Sequence, residues 1–347
     1  MLYLLIMKKI AKKITQELSY ATGRYLTPPE FLSLIVTWRC NFRCQMCSIW
    51  QKDTADELNL DNWLKIAADL KNNLPQKTFV EINGGEPLLR RDLVVPLIKE
   101  LKYFQTVALN SNGLLITPEI ISELENANLD ILKISFYSLD KDVHNALRGM
   151  PDAYDHALNA IKLISQSKIK LEVGLLITNQ NIASAPELIK YLSGLPNTKI
   201  ILQPLDESVE STESKNRRQN QLPAKLWPTP EQATKFFDWV LNDHRSIKNS
   251  PANIQAIKEY YLQPKNVLRY RCFAGQRNAV IYPNGDVALC FKGSVVGNIT
   301  KQNLKEILKK ATNERKFIKT CPKYCRIIGC NFSRGLREII TSSLKGV

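Results

Sequence analysis

The chain has 347 residues, which is too long for one small core and fits a catalytic domain with an appendage. Hydrophobic residues make up 44% of it, which excludes an intrinsically disordered protein. Lys and Arg number 48 against 33 Asp and Glu, giving a net charge of +15. These cations are spread along the chain without an RNA-binding signature, so we interpret them as a solvated surface and expect no nucleic-acid partner.

The N-terminal segment begins with an apolar stretch over residues 1–7, and four lysines follow between residues 8 and 13. This order is the reverse of that in a signal peptide, and the stretch is too short to span a membrane. Residues 2–18 fit either a basic amphipathic helix on a membrane surface or a helix docked on the protein body. We expect a cytoplasmic protein, where eight cysteines stay reduced.

Beyond residue 30, short apolar runs alternate with amphipathic stretches. Strands are predicted at Phe31–Thr37, Thr78–Ile82, Thr106–Leu109, Ile131–Tyr137, Lys170–Ile177 and Lys199–Leu202. Helices are predicted at Asp61–Asn72, Asp92–Tyr103, Pro118–Glu125, Tyr154–Ser165, Ala183–Leu192 and Pro230–Asp243. This alternation indicates right-handed βα units around a parallel sheet, with too few units to close an eight-unit barrel.

A polar, charged segment between Asp206 and Pro230 follows the sixth predicted strand. Loops of this length usually cover a site or are mobile, and the sequence does not decide between these roles.

Three cysteines follow the first predicted strand, at Cys40, Cys44 and Cys47 in C-x₃-C-x₂-C spacing. Three thiolates can hold three irons of a cubane [4Fe–4S] cluster and leave the fourth iron open to a ligand. The alternatives are a structural zinc knuckle or chance clustering. Zinc sites usually pair their ligands and close with a fourth Cys or His, and no His lies near this segment. The spacing therefore favours the open cluster.

A second motif, Gly84-Gly85-Glu86-Pro87, comes directly after the second predicted strand. Together with the cysteine triplet, it resembles the radical S-adenosylmethionine (radical SAM) superfamily. The resemblance implies that the three cysteines bind the cluster, that the SAM amine and carboxylate chelate its open iron, and that Gly84, Gly85, Glu86 and Pro87 contact the SAM amino group. It also implies an α/β fold, a partial (β/α)₆ TIM-like barrel with chemistry at the carboxyl ends of the strands.

Three further residues are candidates for binding SAM. Asn110 opens a polar, glycine-containing loop that suits a close approach to a ligand, although ordinary turns use the same residues. Ser138 and Arg148 lie in a stretch similar to the superfamily's serine and Arg-Gly pattern. The resemblance implies that Ser138 binds the ribose or carboxylate region of SAM and that Arg148 lies near its carboxylate, which a guanidinium binds well. His144 is interpreted as structural.

A second cysteine group begins at Cys272, and Cys290 lies on the far side of a predicted β-hairpin turn, Pro-Asn-Gly-Asp. Cys321, Cys325 and Cys330 follow. This group resembles the SPASM and twitch extensions of radical SAM enzymes, and its reduced cysteine number implies one auxiliary [4Fe–4S] cluster. Cys272, Cys290, Cys321 and Cys325 would close the site, with Cys330 a ligand or a buried spare. A zinc site is the alternative.

The resemblance implies an enzyme that reductively cleaves SAM to a 5′-deoxyadenosyl radical, which abstracts a hydrogen atom from a substrate carbon. The outcome would be net oxidation or modification of a peptide or small molecule, with electrons from a flavodoxin or ferredoxin. We expect an N-terminal helical segment (1–30), a radical SAM core (31–250), an auxiliary-cluster domain (251–335) and a tail (336–347). The alternative is a zinc-stabilised basic module that binds RNA or an anionic surface.

Overall fold

A single nine-stranded sheet organises the protein, in the strand order β6-β5-β4-β3-β2-β1-β7-β8-β9. The structure is a computed structural model that describes residues 2–206, 224–243, 245–329 and 331–332. Cys330, most of the charged segment between Asp206 and Pro230, and the predicted tail therefore lie outside the described residues.

Six parallel strands form the core of the sheet, and each is a short run rich in Leu, Ile and Val. They are β1 Phe31–Ile35, β2 Phe79–Asn83, β3 Thr106–Ser111, β4 Ile131–Ser135, β5 Lys170–Leu176 and β6 Thr198–Gln203. They pair in chain order from β1 to β6. All six predicted strands are observed, and their carboxyl ends meet at one edge, where both sequence motifs lie. The predicted partial-barrel α/β class is confirmed, and the strand order describes an open sheet.

Helices alternate with these strands, and several begin where a side chain caps their first turn. Thr117, for example, accepts a hydrogen bond from the Ile120 amide, and Asp140 accepts bonds from two amides of the next turn. The helices are α1 Leu2–Thr22, α2 Leu60–Asn73, α3 Arg91–Glu100, α4 Pro118–Asn126, α5 Lys141–Arg148, α6 Ala153–Ser165, α7 Ala185–Ser193, α8 Pro230–Asn242, α9 Pro251–Leu262, α10 Ala274–Arg277, α11 Leu304–Lys310 and α12 Thr312–Thr320.

The N-terminal helix α1 is docked on the protein body, which was one of the two arrangements that the sequence allowed. Lys12 forms an ion pair with Glu30 at 2.5 Å, and the Lys13 ammonium lies 4.2 Å from the centre of the Phe273 ring. Tyr20 stacks on the same ring, with 4.9 Å between centroids. Within the described part of the chain, no helix is both long and apolar enough to cross a membrane.

The C-terminal extension continues the sheet of the core. β7 (Asn278–Ile281) pairs in parallel with β1, and β8 (Asp286–Ala288) and β9 (Val295–Asn298) follow in antiparallel pairing. The predicted hairpin is therefore present, with Gly285 in its turn at a φ of +84° that favours glycine. Its first strand is fixed beside the strand that leads into the cysteine triplet.

Candidate active site and cluster-binding residues

The first three cysteines lie on the loop that follows β1, and all three are free thiols. The pKa of the Cys40 thiol is raised to about 11, mainly by burial, and the nearby Cys44 and Cys47 contribute to this rise. The raised pKa values of Cys40 and Cys47 suit a cationic centre, because a bound metal stabilises thiolates. In the described ranges, no three His, Cys, Asp or Glu side chains are placed as a set that could hold one metal ion.

Glycines allow the neighbouring loops to approach the cysteine loop closely. A Cβ on Gly84 would come within 2.5 Å of the Thr37 carbonyl oxygen, and a Cβ on Gly85 would clash with the Arg39 carbonyl. The amides of Gly85 and Glu86 donate to these two carbonyls at 2.9 and 2.8 Å. The Gly-Gly-Glu-Pro motif is therefore fastened by direct backbone contact to the segment that leads into Cys40, an approach that residues with a Cβ would prevent.

Glu86 is fully buried and joins the loops after β2 and β3. Its carboxylate accepts hydrogen bonds from Ser111 Oγ at 3.0 Å, the Asn112 amide at 2.7 Å and the Leu88 amide at 3.1 Å. Burial raises its pKa to about 6, although these donors oppose the rise. The sequence did not predict this role. Contact between the motif and SAM stays a prediction.

Arg148 is the last residue of α5, and it lies almost fully buried beside the cysteine loop. Its Nη1 donates to the Tyr137 hydroxyl at 3.0 Å, and its guanidinium lies 5.1 Å from the Phe42 ring centre. Burial alone would lower its pKa, but Tyr137 and the thiols of Cys44 and Cys40 raise it. Its Nε has no hydrogen-bond partner among the described residues. A buried cation with an unused donor fits an anionic ligand group.

Two buried residues near Arg148 in the sequence, Ser138 and His144, accept hydrogen bonds from backbone amides. Ser138 is fully buried, and its Oγ accepts a hydrogen bond from the Asp140 amide at 3.0 Å. His144 is also fully buried, and its Nδ1 accepts a hydrogen bond from the Tyr137 amide at 3.1 Å. Burial and the charge of Arg148 lower the pKa of His144 to about 3, so it is neutral. This supports the structural interpretation of His144.

Glu57 is a supporting residue that the sequence reasoning missed. Its side chain is 2% exposed and accepts hydrogen bonds from Thr37 Oγ1 at 2.8 Å and from the Trp38 amide at 2.6 Å. Arg39 and Arg90 lie within ion-pair distance of it at 3.4 and 3.5 Å. Glu57 thus fixes the turn that precedes Cys40. No pattern in the sequence marks it, because these contacts come from residues far along the chain.

The second group of cysteines comes together around the hairpin. The pKa of Cys272 is raised to about 11, mainly by burial, and Cys321 contributes to this rise. Burial also raises the pKa of Cys290 and of Cys325, and in both cases Cys272 and Cys321 add to the rise. The thiols of Cys272, Cys290, Cys321 and Cys325 are therefore near enough to affect one another's ionisation, and their joint role as ligands of an auxiliary cluster stays a prediction. The remaining candidate, Cys330, lies outside the described residues.

Comparison with known proteins tests this interpretation. Residues 34–192 match the family described as "Radical SAM superfamily", and residues 272–331 match "SPASM", described as an "Iron-sulfur cluster-binding domain". The chain therefore carries a radical SAM domain, which residues 34–192 form. It also carries a SPASM domain, so the predicted resemblance is confirmed.

Individual relatives are distant. A PqqA peptide cyclase from Bradyrhizobium diazoefficiens is 27% identical over 76% of this chain and 66% of its own length. A probable GTP 3′,8-cyclase from Methanopyrus kandleri is 28% identical over 49% of this chain and 55% of its own length. The chain thus spans between half and two thirds of the length of the curated relatives it matches first.

Among solved structures, Streptococcus suis SuiB bound to its precursor peptide SuiA superposes with a TM-score of 0.63 and 16% identity, over 85% of this chain and 67% of SuiB. At this identity the likeness establishes the fold. A radical SAM domain indicates a [4Fe–4S] cluster that works with SAM, and a SPASM domain indicates auxiliary iron–sulfur binding. The predicted SAM-binding cluster and the predicted auxiliary iron–sulfur binding are therefore confirmed, and the number of auxiliary clusters stays a prediction.

Proposed function

We propose that this protein is an enzyme that reductively cleaves SAM and uses the resulting 5′-deoxyadenosyl radical to abstract a hydrogen atom from a substrate carbon. One observation carries the proposal. The cysteine loop, the Gly-Gly-Glu-Pro motif and the buried Arg148 lie together at the carboxyl ends of the parallel strands, where parallel α/β enzymes place their chemistry.

The residues take separate roles in this proposal. Cys40, Cys44 and Cys47 hold the SAM-binding cluster, which supplies the electron that splits SAM when it is bound. Arg148 offers its unused Nε to the SAM carboxylate, and the Gly84–Pro87 motif, Asn110 and Ser138 line the same site. The cofactor carries the difficult chemistry, while this chain orients it and excludes water.

The second group takes the auxiliary cluster. Cys272, Cys290, Cys321 and Cys325 supply four thiolates, and Arg326 anchors their loops, since its Nη1 donates to the carbonyls of Leu268 and Tyr270 at 3.1 and 2.8 Å. An auxiliary cluster can accept an electron from a substrate radical. This supports net oxidation or crosslinking as the outcome of the reaction.

For the substrate we propose a peptide, with a small molecule as the alternative. The support is that a PqqA peptide cyclase and SuiB, which was solved with a precursor peptide, are among the proteins to which this chain is similar. The electron donor is proposed to be a flavodoxin or ferredoxin. A net charge of +15 would favour encounter with an acidic redox protein.

The test is anaerobic reconstitution with iron and sulfide, followed by SAM and dithionite. We expect the wild type to form 5′-deoxyadenosine and the Cys40→Ala variant to form none. Cys290→Ala is the matched control, because it removes a thiol from the other group and should leave the first cluster able to split SAM. Stoichiometric zinc in protein purified without oxygen, with no 5′-deoxyadenosine, would instead favour the zinc-stabilised binding module.

A further inference from the structure

Two asparagine side chains at the ends of β2 and β3 form a chain of hydrogen bonds. Asn110 Nδ2 donates to Asn83 Oδ1, and Asn83 Nδ2 donates in turn to Glu81 Oε2 at 3.0 Å. Asn83 Nδ2 also donates to Ser33 Oγ at 2.6 Å. Glu81, Asn83 and Ser33 are all buried. Because side chains alternate along a strand, Glu81 and Asn83 lie on the same face of β2.

The carboxylate of Glu81 sets the donor-to-acceptor direction of these hydrogen bonds. A carboxylate can only accept hydrogen bonds, so Asn83 must present its amino group to Glu81 and its carbonyl oxygen to Asn110. Asn110 must then present its own amino group to Asn83. The orientation of an asparagine amide is usually ambiguous, but here it follows from the chemistry of one neighbour. Lys133 holds Glu81 in place by pairing with its other oxygen.

This orientation leaves one acceptor without a donor. Asn110 Oδ1 is shielded from solvent and has no hydrogen-bond partner among the residues the structure describes. Proteins leave few such atoms, because a buried unsatisfied acceptor costs about 1–3 kcal/mol. Asn83 directly precedes the Gly-Gly-Glu-Pro motif, and the residues after Asn110 hold Glu86. The unused acceptor therefore lies beside the motif proposed to bind SAM.

We propose that Glu81 and Asn83 are positioning residues, which orient Asn110 so that its Oδ1 accepts a hydrogen bond from an N–H or O–H donor of bound SAM. The inference rests on the proposed function, since SAM must bind at this edge of the sheet. It specifies that Asn110 accepts the hydrogen bond from SAM, and it names the two residues that fix this direction. Neither Glu81 nor Asn83 touches SAM.

The test is a double-mutant cycle on SAM affinity, measured by anaerobic calorimetry with cluster-loaded protein. Asn110→Ala removes the acceptor and should weaken SAM binding about tenfold, the value of one good hydrogen bond. Glu81→Gln can accept or donate, so both amides can turn over and SAM must select the orientation that it needs; a loss of more than twofold but smaller than that of Asn110→Ala is expected. The double variant should bind SAM no more weakly than Asn110→Ala, because both changes act through one contact.

Ser33→Ala is the matched control. It removes a neutral partner of Asn83 and leaves the carboxylate in place, so SAM affinity should stay within about twofold of wild type. Iron content per chain shows that each variant is loaded. If Glu81→Gln does not fold, Asn83→Ala replaces it, since it also removes the group that orients the Asn110 amide and should weaken SAM binding by more than twofold.

Three outcomes would overturn the proposal. They are wild-type affinity in Asn110→Ala, wild-type affinity in Glu81→Gln or in its replacement Asn83→Ala, and additive losses in the double variant. Failure of the proposed function looks different, because loaded wild-type protein would then show no binding of SAM and no 5′-deoxyadenosine.

Discussion

Glu30 connects α1, the segment before β1 and α10, and its replacement by glutamine should lower the free energy of unfolding. Its carboxylate pairs with Lys12 of α1 at 2.5 Å and with Arg277 at the end of α10 at 2.7 Å, and it accepts a hydrogen bond from Gln16 at 2.8 Å. Burial alone would raise its pKa, but Arg277 and Lys12 outweigh burial and lower it from 4.5 to about 2. The carboxylate side chain is 24% exposed.

The magnitude follows from this pKa. A fall from 4.5 to about 2 corresponds to ~3 kcal/mol of stability at neutral pH, and partial exposure reduces the expected loss in Glu30→Gln to about 1–3 kcal/mol. Because the folded-state pKa is depressed, this stability is fully present above pH 4.5 and is lost as the pH falls towards 2. The difference in free energy of unfolding between wild type and variant should therefore be constant from pH 7 to about pH 5 and become smaller below pH 5.

The assay is urea unfolding of reconstituted protein under anaerobic conditions, followed across this pH range. Glu231→Gln is the control, because it makes the same chemical change at a residue that is exposed on the first turn of α8. The reasoning is refuted if Glu30→Gln is as stable as wild type at pH 7, or if the difference in free energy of unfolding widens on acidification.

Three other changes test the candidate site. Gly85→Ala should displace the loop before the cysteine triplet, because the new Cβ clashes with the Arg39 carbonyl. The iron content per chain should fall to about half, as expected for loss of one of two cubane clusters, and an unchanged iron content would contradict this. Arg148→Lys keeps the charge but loses the planar fork that contacts Tyr137, so SAM affinity should fall about tenfold in calorimetry, and wild-type affinity would disprove it. Cys290→Ser should also remove about half of the iron but keep the change in the electron paramagnetic resonance spectrum on SAM addition; loss of that change would argue against two separate sites.

Much of the candidate site could be predicted because its proposed ligands are local in sequence. Cys40, Cys44 and Cys47 lie on one short loop, so their spacing alone indicates how many metal positions they can fill. The βα alternation likewise fixes a parallel sheet, whose carboxyl ends must share one edge. The glycines of the second motif were found in the same way, although the sequence did not show which carbonyls they approach.

The sequence by itself therefore determined the family, the parallel sheet and the two groups of cysteines. Tertiary structure alone decided that β7 pairs with β1 and thereby fixes the auxiliary cysteines beside the core. It also decided the contacts of Glu57 and the chain from Glu81 to Asn110, because hydrogen bonds between strands depend on register and on which side chains share a face. Such contacts join residues that are distant in sequence, and no spacing along the chain encodes them.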